Sequence, residues 1–296
     1  MRPPRATAAA LAAALFAALL AALLLGGCSG MRLAYNTADF LIERYADDYL
    51  GLDRAQMARW SPELDAALAR HRQEELPYLA AFFDTMQNDA RKGFTRADVD
   101  CLLDQFETIY QRHFRLAAAT AAPLLADLDN AQINALERTF REDAQDDAED
   151  AARPVSVRVD KRVERYADNM QWWVGELSER QRGIVRDVVS GLPESADWYA
   201  YRDRKRGELI RLLRSGASAP RIEAFLNAWL VDYADMPAGL RRDRTELRGD
   251  IADLILRLSE SFSAEQRRRL IDRAAGLRND FMTLQPDARM APVGCR

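Results

Sequence analysis

Apolar positions recur every three or four residues along nearly the whole chain after Cys28, the period of an α-helix that buries one face. Val99, Leu102, Phe106, Ile109, Tyr110 and Phe114 form one stripe, with Thr95 ahead of it as a capping residue. Ile133, Leu136 and Phe140 form another after Asp129, Leu41, Tyr45 and Tyr49 follow Thr37, and Leu270, Ala274, Leu277 and Phe281 close the series. Alternation with period two appears only over Val155 to Val159, too short and isolated to predict a sheet. Breaks are expected at Gly51, Pro62, Pro77, Gly93, Pro154, Gly191 to Pro193, Ser215-Gly216, Pro220 and Pro237. The pattern therefore predicts an all-α protein, a multi-helix bundle of about nine or ten helices. The acidic run before Pro154 suggests a linker over 151–159, dividing an N-terminal helical part (28–150) from a C-terminal one (160–285), with a flexible tail over 286–296.

The first residues follow a different rule. Arg2 and Arg5 precede an apolar run from Ala6 to Leu25, which ends in Leu25-Gly26-Gly27-Cys28. A basic start, an apolar stretch and small residues at the end make an export signal over residues 1–27 the first reading. An uncleaved anchor helix is the rival, because the run has about the length needed to span a bilayer. Cys28 decides for the first: the ending resembles the lipobox of bacterial lipoproteins, in which the cysteine thiol is acylated before cleavage. That resemblance implies no cofactor beyond a covalent lipid on Cys28 and attachment to a membrane through acyl chains. Ser29, rather than Asp, resembles Gram-negative lipoproteins that move on to the outer membrane, so the helical part is expected to face the periplasm.

One short pattern recurs four times: Leu52-Asp53 with Gln56, Leu128-Asp129 with Gln132, Leu177-Ser178 with Gln181, and Phe262-Ser263 with Gln266. Asp or Ser can cap a helix while the Gln three residues on returns a bond to the cap. Independent helix starts account for all four. The pattern is also similar to the Leu-Thr-x-x-Gln signature of small periplasmic helical chaperones. Arg44-Tyr45-Ala46-Asp47 and Arg165-Tyr166-Ala167-Asp168 echo each other ahead of the first and third copies, which raises an internal duplication.

The formal charge is −4, from 42 basic and 46 acidic residues, and loss of Arg2 and Arg5 with the signal leaves 40 against 46, or −6. A mildly acidic chain is no general nucleic-acid binder. Of the cysteines, Cys101 and Cys295 remain once Cys28 is lipidated; a disulfide between them and two free thiols are both open, and neither forms a zinc pattern.

Chemistry-bearing residues are few. His71, Glu74 and Glu75 form the densest polar cluster, with the carboxylates one helical turn beyond the imidazole. His113 could join them only through the fold. Packing of both imidazoles between helices is the plainer alternative, and no phosphate loop, nucleophile elbow or His-Glu-x-x-His sequence is present. Trp172, Trp173, Trp198, Tyr199 and Tyr201, beside Arg202, could line a groove for a peptide or glycan, or simply pack between helices.

Several longer stretches resemble an uncharacterised Gram-negative lipoprotein family, classed as a domain of unknown function. They are Arg32-Leu33-Ala34-Tyr35-Asn36 with Asp39 and Asp47-Asp48-Tyr49, His71-Arg72 to Glu75-Leu76-Pro77, and Lys161 to Arg165 leading to Gly175-Glu176-Leu177-Ser178. Trp198 with Arg202 fits as well, whereas Tyr166 stands where the family has Trp. The resemblance implies a lipoprotein and supplies no activity, catalytic residue or metal. The expectation is a lipid-anchored helical protein, not an enzyme, that binds or scaffolds an unknown envelope protein or glycan. The competing readings are an envelope enzyme using His71, Glu74 and Glu75, and a chaperone-like helical clamp.

Overall fold

The computed structural model describes residues 29–193 and 196–295; the expected signal segment and Cys28 lie outside the described residues. Among the described residues there is no strand. Twelve α-helices follow one another: α1 (Ser29–Asn36), α2 (Ala38–Leu50), α3 (Arg54–Arg70), α4 (Leu76–Lys92), α5 (Arg96–Ala126), α6 (Asn130–Ala152), α7 (Val155–Val174), α8 (Glu179–Ser190), α9 (Ala196–Arg214), α10 (Ala219–Leu230), α11 (Ala238–Glu260) and α12 (Ala264–Leu284). A π turn, His71–Glu75, fuses α3 and α4, so the rods number eleven where nine or ten were expected.

Two expected breaks do not break. Pro62 lies inside α3, where Trp60 on one side donates its indole N–H to the carbonyl of Thr120 at 2.8 Å and Leu64 on the other is buried. Pro77 lacks the N–H that would bond the carbonyl of Gln73. The guanidinium of Arg289 supplies the missing donor at 2.8 Å, and the widened π turn carries the chain past the proline.

All four capping boxes form, with the Asp or Ser side chain accepting from the backbone and the Gln side chain accepting from the cap N–H. They are not independent, however. Gln56 and Gln132 exchange amide hydrogen bonds at 2.9 and 2.7 Å, and Gln181 and Gln266 do the same at 2.8 and 3.0 Å. Each glutamine spends its second N–H on a carbonyl just ahead of its partner's box: Asp127, Gly51, Ser261 and Glu176 respectively. Every amide donor and acceptor in the two knots is thereby used.

The knots expose a duplicated plan. In the first unit α2 packs on α3 and α6, and α3 on α5; in the second, α7 packs on α8 and α12, and α8 on α11. A paired box precedes the second and the last helix of each unit. What lies in the middle of each unit is given to the other. Helix α4, from the first, makes the most extensive helix pairing in the molecule with α12. Helices α9 and α10, from the second, pack on α6 and α5. The largest core accordingly joins Trp60, Leu64, Ile133 and Leu136 to Tyr201, Ile210, Ile222 and Trp229, and a second joins Ala90 to Val185, Leu254 and Leu258.

The expected linker over 151–159 falls on a short helix junction. Helix α6 runs through Ala152 and α7 begins at Val155, leaving only Arg153 and Pro154 between them, and the cores cross that point. The tail expected to be flexible, 286–296, makes specific contacts with α4 and α5. Ala291 donates to the carbonyl of Pro77 at 3.0 Å, Gln105 donates to that of Val293 at 3.0 Å, and Cys295 is bonded to Cys101. The open carbonyl ahead of Pro77 and a buried seat for Val293 give the tail partners that its composition does not reveal.

Candidate functional site

The π turn sets the geometry of the histidine cluster. It adds a residue to the local turn, so His71 does not meet Glu74 or Glu75 as regular helical spacing predicts. Glu74 pairs with Arg70 at 3.2 Å on the surface. Glu75, only 5% exposed, accepts both ends of the Arg112 guanidinium at 2.7 and 2.9 Å. The expected His71–carboxylate pair is therefore absent. Instead Tyr35 on α1 reaches the Nδ1 of His71 at 2.6 Å, and the rings of His71 and His113 meet edge to face, 4.7 Å between centroids. His113 places its Nδ1 2.7 Å from the carbonyl of Ile109, which fixes that nitrogen as the donor. Burial, helped by the neighbouring His113 and Arg72, pulls the His71 imidazole down to about 4; burial pushes the Tyr35 hydroxyl up to about 12. Both groups are thus uncharged near neutrality. Among the described residues, no three of His, Cys, Asp and Glu are grouped so as to hold a metal ion.

The two histidines close one end of an apolar groove of about 580 Å³ between α2, α3 and α5. Trp60, Leu64 and Leu68 form one wall, Leu116, Ala117 and Leu124 the other, and Ile42, Tyr45 and Tyr49 the lip. No carboxylate or ammonium lines it.

A second cavity, about 370 Å³, lies between α7, α9 and α11. Its lining is aromatic and basic: Tyr166, Trp198, Tyr199 and Tyr233, with Arg162, Arg165 and Arg244 against the single carboxylate of Asp243. Arg162 donates to the backbone carbonyls of Leu192 and Pro193 at 3.2 and 2.9 Å, and its buried Nε has no hydrogen-bond partner. Arg244 lies 4.2 Å over the ring of Tyr233 and bonds Glu107 at 2.8 Å. Tyr233 has φ +48°, in the left-handed region that a bulky side chain rarely enters. Such strain persists where the surroundings hold it, often at ligand sites.

The structure divides the expected aromatic surface. Trp198 lines this cavity, as does Tyr166, the position where the resembled family has Trp. Arg202 turns away to bond Asp147 of α6, with its guanidinium 5.1 Å from the ring of Tyr199. Trp173 stacks on Phe83, and Trp172 lies exposed beneath Arg273. These two therefore belong to helix packing and to another face. The sequence reading missed Arg162, Arg165, Tyr233 and Arg244. Arg162 and Arg165 stood in the family-like stretch Lys161 to Arg165 without a site role, and Tyr233 and Arg244 left no signal.

Among the described residues, no helix is long and apolar enough to cross a membrane. Residues 48–233 match the model of a family of unknown function, DUF6279. No curated protein and no solved structure matches the chain.

Proposed function

The chain belongs to the DUF6279 family of unknown function, and on that footing we propose that it is a lipid-anchored binding protein of the bacterial envelope, held by an acylated Cys28 to the outer membrane and facing the periplasm. Its ligand in this reading is an envelope glycan that carries a carboxylate. The observation that carries the reading is the cavity of Tyr166, Trp198 and Tyr199 with three arginines against one aspartate. Aromatic faces stack on the C–H faces of a sugar ring while their polar ends stay wet. Arg162, Arg165 and Arg244 put guanidinium charge on the cavity wall, the donor type whose planar fork suits a carboxylate. The lipobox pattern at Gly26-Gly27-Cys28 supports the anchor.

Binding is preferred to catalysis because the groups of the histidine cluster are already engaged. Tyr35 holds His71, a backbone carbonyl holds His113, and Arg112 holds Glu75, so no carboxylate orients either imidazole. The test is a titration of the purified protein with acidic disaccharides, read by tryptophan fluorescence, alongside the neutral sugars. Saturable binding of the acidic sugar that Trp198→Ala or Arg162→Met abolishes is expected. No response, or one indifferent to both substitutions, overturns the ligand assignment. The anchor has its own test: clickable palmitate should label the wild type and not Cys28→Ala, and persistent labelling of the mutant defeats it.

A further inference from the structure

Twelve large hydrophobic side chains are exposed among the described residues, and six of them fall within fifteen consecutive positions: Met31, Leu33, Phe40, Leu41, Ile42 and Tyr45. Exposed apolar residues scattered singly need no explanation, but a contiguous group marks a contact surface. Leu41, Ile42 and Tyr45 share one face of α2, Phe40 lies on the far side of the helix from them, and Tyr45 is 69% exposed. Ile42 and Tyr45 are also the lip of the apolar groove, so the outer surface continues into the groove without a polar seam.

This surface is fixed. Arg32 of α1 pairs at 3.1 Å with the buried Asp280 of α12, Tyr35 is bonded to His71, and Thr37 turns the chain into α2 by bonding the carbonyl of Leu33. Its position in the chain says what covers it. Ser29, the residue next to Cys28, already belongs to α1, so no spacer separates the anchor residue from these helices. With Cys28 acylated, a rise of about 1.5 Å per residue keeps every residue of α1 and α2 within a few tens of ångströms of the lipid.

We propose that the exposed α1–α2 face lies against the bilayer, with Leu41, Ile42 and Tyr45 entering the boundary between headgroups and acyl chains. The inference rests on the reading that Cys28 carries lipid. Charge narrows the lipid class. Arg32 and Arg44 face Asp39, Glu43, Asp47 and Asp48 across the same two helices, a net acidic set, so anionic headgroups repel the segment and zwitterionic ones do not. A single apolar helix face binds such a surface weakly, and the adjacent anchor supplies the local concentration that makes contact persistent.

The experiment uses the full chain, reconstituted in phosphatidylcholine vesicles, with a spin label introduced singly as Leu41→Cys, Tyr45→Cys or, for comparison, Glu179→Cys on α8, whose packing partners are α7 and α11. Collisions with oxygen report lipid, and collisions with a water-soluble nickel complex report solvent. The ratio of the two is expected to rise several-fold at positions 41 and 45 over position 179. Equal ratios in protein that has taken up palmitate and stayed with the vesicles overturn the proposal while leaving the anchor intact. Loss of both palmitate and vesicle retention removes the anchor and the proposal together. Protection of positions 41 and 45 that appears only when other envelope proteins are added also overturns it, because the face then belongs to a protein partner.

Discussion

At the scale of single residues, the histidine cluster converts burial into pH dependence. His71 titrates near 6.5 in an unfolded chain and near 4 in the fold, where burial and the nearby His113 and Arg72 oppose its charge. Below about pH 6.5 the unfolded chain binds a proton that the folded one refuses, so stability is full above that pH and drains away as the pH falls toward 4. The loss is at most about 3.5 kcal/mol, and urea unfolding at successive pH values should show it, with a flatter profile for His71→Gln. His71→Ala at neutral pH should cost about 1–3 kcal/mol through the lost Tyr35 bond. Arg112→Met strands the buried Glu75 carboxylate and should cost more, roughly 3 kcal/mol, toward the low end for a broken buried pair because the guanidinium is partly solvated. The sequence indicated that His71 packs between helices; it could not indicate Tyr35, 36 residues away, as the partner. Glu74 and Glu75 were misplaced for a local reason, since a π turn shifts which neighbours share a face and its cause, Pro77, reads in sequence as a stop.

At the scale of elements, the helices were legible because caps and three-four spacing act within a few residues. The same locality hid the relation between boxes: Gln56 and Gln132 lie 76 residues apart, Gln181 and Gln266 85. Each box looks complete alone, yet each glutamine amide has a second bond to give. Removing one glutamine takes two bonds from its partner's amide, buried at Gln56 and half-buried at Gln132, so Gln132→Ala should cost about 1–3 kcal/mol and Gln56→Ala toward the lower end of that range. The pair together should cost less than the sum, by about 0.5 kcal/mol or more, whereas Gln56→Ala combined with Gln266→Ala should be additive. A double-mutant cycle in urea measures this, and additivity within the first pair would show that the knot carries no coupling. The aromatic–arginine cavity was only half legible for the same reason: Trp198 stood out by type, while Arg162, Tyr233 and Arg244 meet it only because α7, α9 and α11 converge.

At the scale of the whole molecule, exchange of the middle helices makes the two units one cooperative body. Fragments 28–150 and 160–285 should each fail to fold when expressed separately, because the larger core takes residues from both; co-expression should restore protease resistance, and a fragment resistant on its own would contradict this. The Cys101–Cys295 bond closes 194 residues and pins the tail that completes α4, so Cys295→Ser should lower stability by up to about 5 kcal/mol on a chain-entropy argument, read as the difference in unfolding free energy. The duplication was foreshadowed by the Arg-Tyr-Ala-Asp echo; the exchange was not, since nothing local says which copy of a helix pair an inserted helix will choose. That exchange also puts a clock into the molecule. A chain made from its N-terminus has Leu136 in place long before Leu240, the last buried member of the same core, and at ordinary synthesis rates the roughly 100 residues between them take about 5–20 s. For that interval the first unit has its own helices to pack on but lacks the part of the core that α9, α10 and α11 bring, so the fold sets the length of its own delay.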